Sequence, residues 1–146
     1  MDLFSAAASG ISIASVGIQI AGSIHQLLRF CKSIRDAPDA IRLISEDLEV
    51  LDEILNSLMT YHQGIQRQNG ISPSTSIPKA LLSCLNRLRD LNHMISRLEK
   101  GFSQHMTWTS VKTALSDDTI RKFQSSVESA KASLVLANQL FQNQLL

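Results

Sequence analysis

A long stretch without charge near the start of the chain constrains the fold more than any other feature. From Leu3 to Leu28, over twenty-six residues, there is no Asp, Glu, Lys or Arg. A helix of that length can cross a bilayer, because about 20 predominantly apolar residues span its hydrocarbon core. Four explanations are therefore open: a secretory signal, a mitochondrial presequence, a membrane span, and a helix in the core of a globular domain.

The flanking residues argue against both targeting signals. A secretory signal begins with basic residues, whereas this chain has Asp2, and a mitochondrial presequence needs arginines, the first of which is Arg29. Polar side chains argue against a permanent span; they are Ser5, Ser9, Ser12, Ser15, Gln19, Ser23 and His25. Two explanations stay open: a core helix that is apolar all round, and a helix that is packed at rest and enters a bilayer after a trigger.

Apolar residues recur at steps of three and four in four segments, which is the spacing of amphipathic helices. The clearest segment has a coiled-coil-like pattern at Ile41, Ile44, Leu48, Leu51, Leu55 and Leu58. The other segments include Ile13 to Ile34, Cys84 to Phe102 and Ile120 to Phe141. We expect an all-α fold, an antiparallel four-helix bundle with one short extra helix near residues 107–115, and a single domain over residues 1–146.

Proline, glycine and hydroxyl residues predict where the helices begin and end. Pro38 suits the first turn of a helix with Asp36 or Ala37 near its cap, and that helix is expected to extend from about residue 38 to about 66. The third helix is expected from near Pro78 to Gly101. Ser116 predicts the N-cap of the last helix, since two aspartates follow it.

The composition excludes several classes of protein. Aromatic residues make up 5% of the chain, which argues against a many-stranded β-fold. The net charge is +1, which argues against a protein that binds nucleic acid through its phosphates. The four histidines, His25, His62, His93 and His105, have no metal-ligand spacing with one another or with the two cysteines. Neither a phosphate loop nor a nucleophile motif is present, so we expect no enzyme, cofactor or metal.

Two later segments carry opposite charge. Residues 39–53 contain six acids and one base, whereas residues 67–100 contain six bases and two acids. The simpler explanation is that the two helices are neighbours with complementary outer faces. The alternative is that these faces dock a partner, with Glu46, Glu49, Glu53, Arg87 and Arg97 as the candidate contacts.

The order of these segments resembles the N-terminal domain of fungal STAND proteins, which are NOD-like receptors. The uncharged first helix is followed by CKSIRDAPDAIRLISEDLEVLDEIL, and later by WTSVKTAL and IRKFQSSVESAKASLVLANQL. The step from Asp36 to Pro38 is the most characteristic part. This group is similar to the HeLo and HeLo-like helical bundles, which execute programmed cell death.

The resemblance implies a signalling or effector domain for heterokaryon incompatibility or an immune response. The domain would be cytoplasmic at rest, self-associate on activation, and insert its first helix into lipids of the plasma membrane. The implied inserting residues are Leu3, Phe4, Ile11, Ile13, Val16, Ile18, Ile20 and Ile24. Small residues that would let helices approach closely are Gly10, Ala14, Gly17, Ala21 and Gly22.

The resemblance also implies a larger protein around this domain. A nucleotide-binding domain would follow Leu146 in the same chain and serve as a partner. Plant counterparts place an acid inside the first helix to line a cation pore, whereas the only acid here is Asp2. We therefore expect general membrane disruption rather than a selective channel. A non-lytic bundle that recruits partners to the receptor is the alternative.

Overall fold

The computed structural model describes residues 11–69, 76–99 and 106–145, and these form an all-α fold. Five helices are present in these ranges: α1 (Ile11–Ser33), α2 (Asp39–Asn69), α3 (Ser76–Glu99), α4 (Trp108–Ala114) and α5 (Asp117–Leu145). Two short strands, β1 (Ile34–Arg35) and β2 (Met106–Thr107), pair in parallel. The expected helical class and the short extra helix are both confirmed.

One core joins the four long helices. The predicted pattern of α2 is confirmed, because Ile41, Ile44, Leu48, Leu51, Leu55 and Leu58 are all buried. Buried residues of α1, α3 and α5 complete the same cluster. The periodicity predicted the core face because a helix brings every third or fourth residue to one side.

The junction between α1 and α2 differs slightly from the prediction. Asp36 adopts a left-handed backbone with φ of 55°, a conformation that Asp tolerates better than most residues. Helix α2 begins at Asp39, so Pro38 precedes the helix and is not part of its first turn. The Pro38 carbonyl accepts hydrogen bonds from the amides of Ile41 and Arg42, so Pro38 itself occupies the capping position that we expected at Asp36 or Ala37.

The other ends of the helices lie close to their predicted positions. Helix α2 continues to Asn69, three residues beyond the expected end, and α3 begins at Ser76, before Pro78. Gly101 lies outside the described residues. The N-cap at Ser116 is confirmed, because its hydroxyl accepts a hydrogen bond from the amide of Thr119 at 3.1 Å.

The two short strands join the segment after α1 to the segment before α4, a contact that the sequence analysis did not predict. Ile34 pairs with Met106 and Arg35 with Thr107, which fixes the end of α1 beside the start of α4. Thr107 caps α4, and Trp108 packs against the core. Pairs of two residues have no periodicity, so this pairing had no sequence signal.

Helix α1 packs against both α2 and α3, and α5 packs against the same two helices. Gly17 lies beside Met59 and Lys32 beside Glu49, so α1 and α2 run in opposite directions. Helices α2 and α3 have no such extensive contact with each other within the described residues. Our simpler explanation of the charged segments, that α2 and α3 are neighbours, is therefore wrong.

Candidate functional site: the first helix and two charged faces

The inner face of α1 is part of the core. Ile13, Val16, Ile20 and Ile24, four of the implied inserting residues, are almost completely buried. Steps of three and four place them in one stripe, which faces α2 and α3 because α1 packs on both. These side chains cannot meet lipid while α1 stays in this position.

The outer face of α1 is uncharged over most of its length. Ser15, Ile18, Gly22 and His25 are exposed, and Ile18 has 73% of its surface accessible. The first charged residue of the helix is Arg29. Of the remaining implied inserting residues, Leu3 and Phe4 lie outside the described residues, as does the side chain of Ile11.

The small residues of α1 have different surroundings. Gly17 is buried against α2, where an added Cβ atom would lie 2.5 Å from the sulfur of Met59. Ala14 and Ala21 are half-buried. Gly22 is exposed with no neighbour within 4 Å of an added Cβ, so no close approach occurs there in this fold. Gly10 lies outside the described residues.

Polar contacts hold α1 to α3 at two successive turns. The side-chain amide of Asn92 donates a hydrogen bond to the Ser23 carbonyl at 3.1 Å, and Arg89 donates to the side chain of Gln19. Asn92 is buried. Such contacts had no sequence signal, because neither the partner helix nor its register follows from the spacing within α1.

Basic residues follow the uncharged part of α1. Arg29, Lys32 and Arg35 are all exposed. Lys32 Nζ lies 3.4 Å from Glu49 Oε1 of α2, so one candidate contact residue is engaged within the chain. This pair lies at the surface, since both of its side chains are more than half exposed.

The acids of α2 are only partly neutralised. Ion pairs join Asp39 to Arg42, Asp47 to Lys131 and Glu49 to Lys32, and a carboxylate oxygen of Asp52 lies 3.4 Å from Nε2 of His25. Glu46 and Glu53 are exposed and make no ion pair with the residues that the structure describes. Together with exposed Leu43 and Val50, they lie at steps of three and four on one stripe, which we call the α2 outer face.

The exposed side of α3 carries the opposite charge. Lys79, Arg87, Arg89 and Arg97 are exposed, and none makes an ion pair within the described ranges. Asp90 is the acid on the same side. We call Lys79, Arg87, Asp90 and Arg97 the α3 outer face. All five candidate contact residues of the two segments are therefore exposed, but on different sides of the molecule.

The thiols and imidazoles form no ligand cluster in the part of the chain that is described. No group of three His, Cys, Asp or Glu side chains is placed to hold a metal there. Burial raises the pKa of Cys84 to about 12 and that of Cys31 to about 11, the latter partly offset by a hydrogen bond with Ser45. His62 is buried with its ring 5.7 Å from that of Phe141.

Neither hydropathy nor similarity to known proteins assigns a function to this geometry. Within residues 11–69, 76–99 and 106–145, no helix has both the length and the mean hydropathy of a membrane span. Comparisons with protein-family models, curated proteins and solved structures gave no match. A function must therefore be argued from the residues themselves.

Proposed function

We propose that this chain is a signalling and effector domain of a fungal NOD-like receptor, and that it acts by clustering and by inserting α1 into a membrane. At rest, α1, α2, α3 and α5 would form one four-helix bundle in which successive long helices alternate in direction. The sequence resemblance supports the class of protein, and α1 supports the mechanism.

The uncharged outer face of α1 carries this proposal. A helix that stays in water normally exposes charged side chains, and α2 and α3 do so at Glu46, Glu53, Arg87 and Arg97. Before Arg29, helix α1 instead exposes Ser15, Ile18, Gly22 and the imidazole of His25. Entry into lipid would therefore strip water from no Asp, Glu, Lys or Arg side chain before Arg29, and this removes the largest cost of insertion.

Release of α1 must be conditional. Burying an Ile or Val side chain contributes about 1.5–3 kcal/mol, and four such residues of α1 lie in the core. Their sum is comparable with the total stability of a domain, about 5–15 kcal/mol. Helix α1 would leave only where lipid buries the same side chains and clustering adds to the gain.

General membrane disruption fits α1 better than a selective channel. The helix has no acid between Ile11 and Leu28, and it is too polar for a stable span. Its apolar face of Ile13, Val16, Ile20 and Ile24 and its uncharged outer face at Ile18 would both contact lipid, so charging either face should prevent insertion. Exposed Arg29, Lys32 and Arg35 would then meet anionic lipid.

Dye release from anionic vesicles tests this proposal. The chain would be fused to a domain that oligomerises on addition of a small molecule, and leakage would be recorded before and after the addition. We expect leakage only after clustering. Leakage should be lost in Ile18→Asp, which charges the exposed side of α1 without touching the core.

A matched variant separates lipid contact from a general loss of hydrophobicity. Leu136→Asp makes the same kind of change on α5, where Leu136 is 51% exposed, and it should leak like the parent. Absence of leakage from the clustered parent at every lipid composition would contradict membrane action. Equal loss of leakage in Ile18→Asp and Leu136→Asp would show that α1 is not the helix that contacts lipid.

A second function is favoured by the two charged outer faces. Uncompensated Glu46 and Glu53 on α2, with Arg87 and Arg97 on α3, suit a non-lytic bundle that docks other parts of the receptor. Binding of downstream segments of the same receptor, lost on charge reversal at Glu46, Glu49 and Glu53 without any leakage, would identify this function instead.

A further inference from the structure

We propose that copies of this chain associate head to tail, with the α2 outer face of one copy against the α3 outer face of the next. The first observation is that both faces carry charge that the chain does not neutralise. Glu46 and Glu53 have no ion pair in the described ranges, and neither have Lys79, Arg87 and Arg97. Opposite charges of this kind lower the free energy of a contact and steer its register.

The two faces cannot meet within one copy. Helices α2 and α3 both pack against α1 and against α5, and they have no comparable contact with each other in the described residues. They therefore lie at opposite corners, with their exposed sides pointing away from one another. Contact between the two faces requires a second molecule.

The α2 outer face has the composition of a helix contact rather than of a purely solvated surface. Leu43, Glu46, Val50 and Glu53 alternate apolar and acidic side chains along one stripe, and Leu43 is 56% exposed. A helix laid along this stripe would cover the two apolar residues. The two acids would stand about 10.5 Å apart, at 1.5 Å of rise per residue.

The α3 outer face offers cations over a similar distance. Arg87 and Arg97 are about 15 Å apart along α3, with Lys79 about 12 Å before Arg87. Arginine binds carboxylates through a planar fork on a long side chain, so these cations can adjust to the spacing of Glu46 and Glu53. Asp90 lies between them and restricts the register, because it would repel an acid placed opposite.

A contact between two different faces repeats from copy to copy. Such head-to-tail contacts give closed rings or open filaments rather than twofold dimers. One helix face buries little surface, so a single contact would be weak and would become populated when copies are held close together. As the clustering step, the contact rests on the proposed function, but the association itself needs no membrane.

Sedimentation of the 146-residue chain without lipid tests the contact. The average mass should rise with protein concentration at 50 mM salt and fall at 500 mM salt, because salt screens exposed charges. Glu53→Lys should reduce this association, whereas Glu128→Lys, the same charge change at an exposed site of α5, should not. A chain that stays monomeric at millimolar concentration and low salt would refute the proposal.

A charge-swap experiment identifies the two faces. One double variant carries Glu46→Lys with Glu53→Lys, and the other carries Arg87→Glu with Arg97→Glu. Each alone should be monomeric, because it has two faces of like charge. An equimolar mixture should associate again, since each variant then offers the complement of the other. Association of either double variant alone to the level of the parent would overturn the assignment.

These outcomes are separable from those of the membrane assay. Head-to-tail association is measured without vesicles, whereas leakage is driven by the fused oligomerisation domain. Leakage from forced clusters of a monomeric chain would refute the contact and leave the membrane function. Salt-sensitive association with restored mixing, but without leakage, would support the contact and refute the membrane function.

Discussion

Gly17 of α1 lies directly against Met59 of α2, so closely that a Cβ atom at residue 17 would come within 2.5 Å of the Met59 sulfur. The two helices approach at this position because one of them has no side chain. The obstructing atoms belong to the flexible end of Met59, and these can move, whereas the backbone cannot.

The two described glycines of α1 should therefore respond differently to alanine. Gly22→Ala adds a methyl group in open space and should raise the free energy of unfolding by about 0.5–1 kcal/mol, because alanine favours the helix. Gly17→Ala gains the same propensity but must displace Met59, so it should be the less stable variant. Urea unfolding of both variants measures the difference in their free energies of unfolding. A Gly17→Ala variant that is more stable than Gly22→Ala would contradict this packing.

Truncation of buried leucines should be costly. Leu51→Ala and Leu88→Ala each remove a fully buried side chain and should reduce the free energy of unfolding by about 2–5 kcal/mol. Leu43→Ala on the exposed side of α2 is the matched control and should cost less than about 0.5 kcal/mol. Equal effects of Leu43→Ala and Leu51→Ala in denaturant melts would contradict this assignment of the buried and exposed faces of α2.

The reactivity of Cys31 should report the position of α1. Burial raises the pKa of this thiol to about 11, so little thiolate is present at pH 8 and a disulfide reagent should react slowly. A Cys84→Ala variant leaves Cys31 as the single thiol. Clustering on anionic vesicles should then speed its labelling strongly, and unchanged labelling during leakage would show that α1 stays packed.

Both thiols should also make stability depend on alkaline pH. The folded pKa values, about 11 and about 12, lie above the ordinary value of 9.0. The unfolded chain therefore loses these protons first, and stability should fall as the pH rises from 9 toward 11. In thermal melts, the difference in stability between the parent and a variant with both cysteines changed to alanine should be constant below pH 9 and should change only above it.

The left-handed backbone at Asp36 predicts which residues the turn before α2 accepts. Asp36→Gly and Asp36→Asn should be tolerated, because both residues adopt a positive φ readily. Asp36→Val should reduce stability by at least about 1 kcal/mol, since a branched side chain is strained there. Chemical unfolding of the three variants measures their stabilities. If Asp36→Val were as stable as Asp36→Gly and Asp36→Asn, the backbone at this residue would be extended rather than left-handed.

Local features of the sequence determined much of the fold. Spacing predicted the buried face of α2 from Ile41 to Leu58, and the hydroxyl of Ser116 predicted where α5 begins. These predictions succeeded because helix periodicity and capping depend on neighbours within about one turn. The same spacing predicted that Ile13, Val16, Ile20 and Ile24 share one face of α1.

Only the tertiary structure decided which helices meet. The sequence showed an acidic and a basic helix, and their charges favoured contact, yet α2 and α3 lie apart. Burial of the apolar faces of all four long helices contributes far more free energy than exposed ion pairs do, so packing sets the neighbours. The sequence likewise determined that α1 has no Asp, Glu, Lys or Arg before Arg29, whereas the packing of the helices decided that its inner face is buried and that Ile18 is exposed.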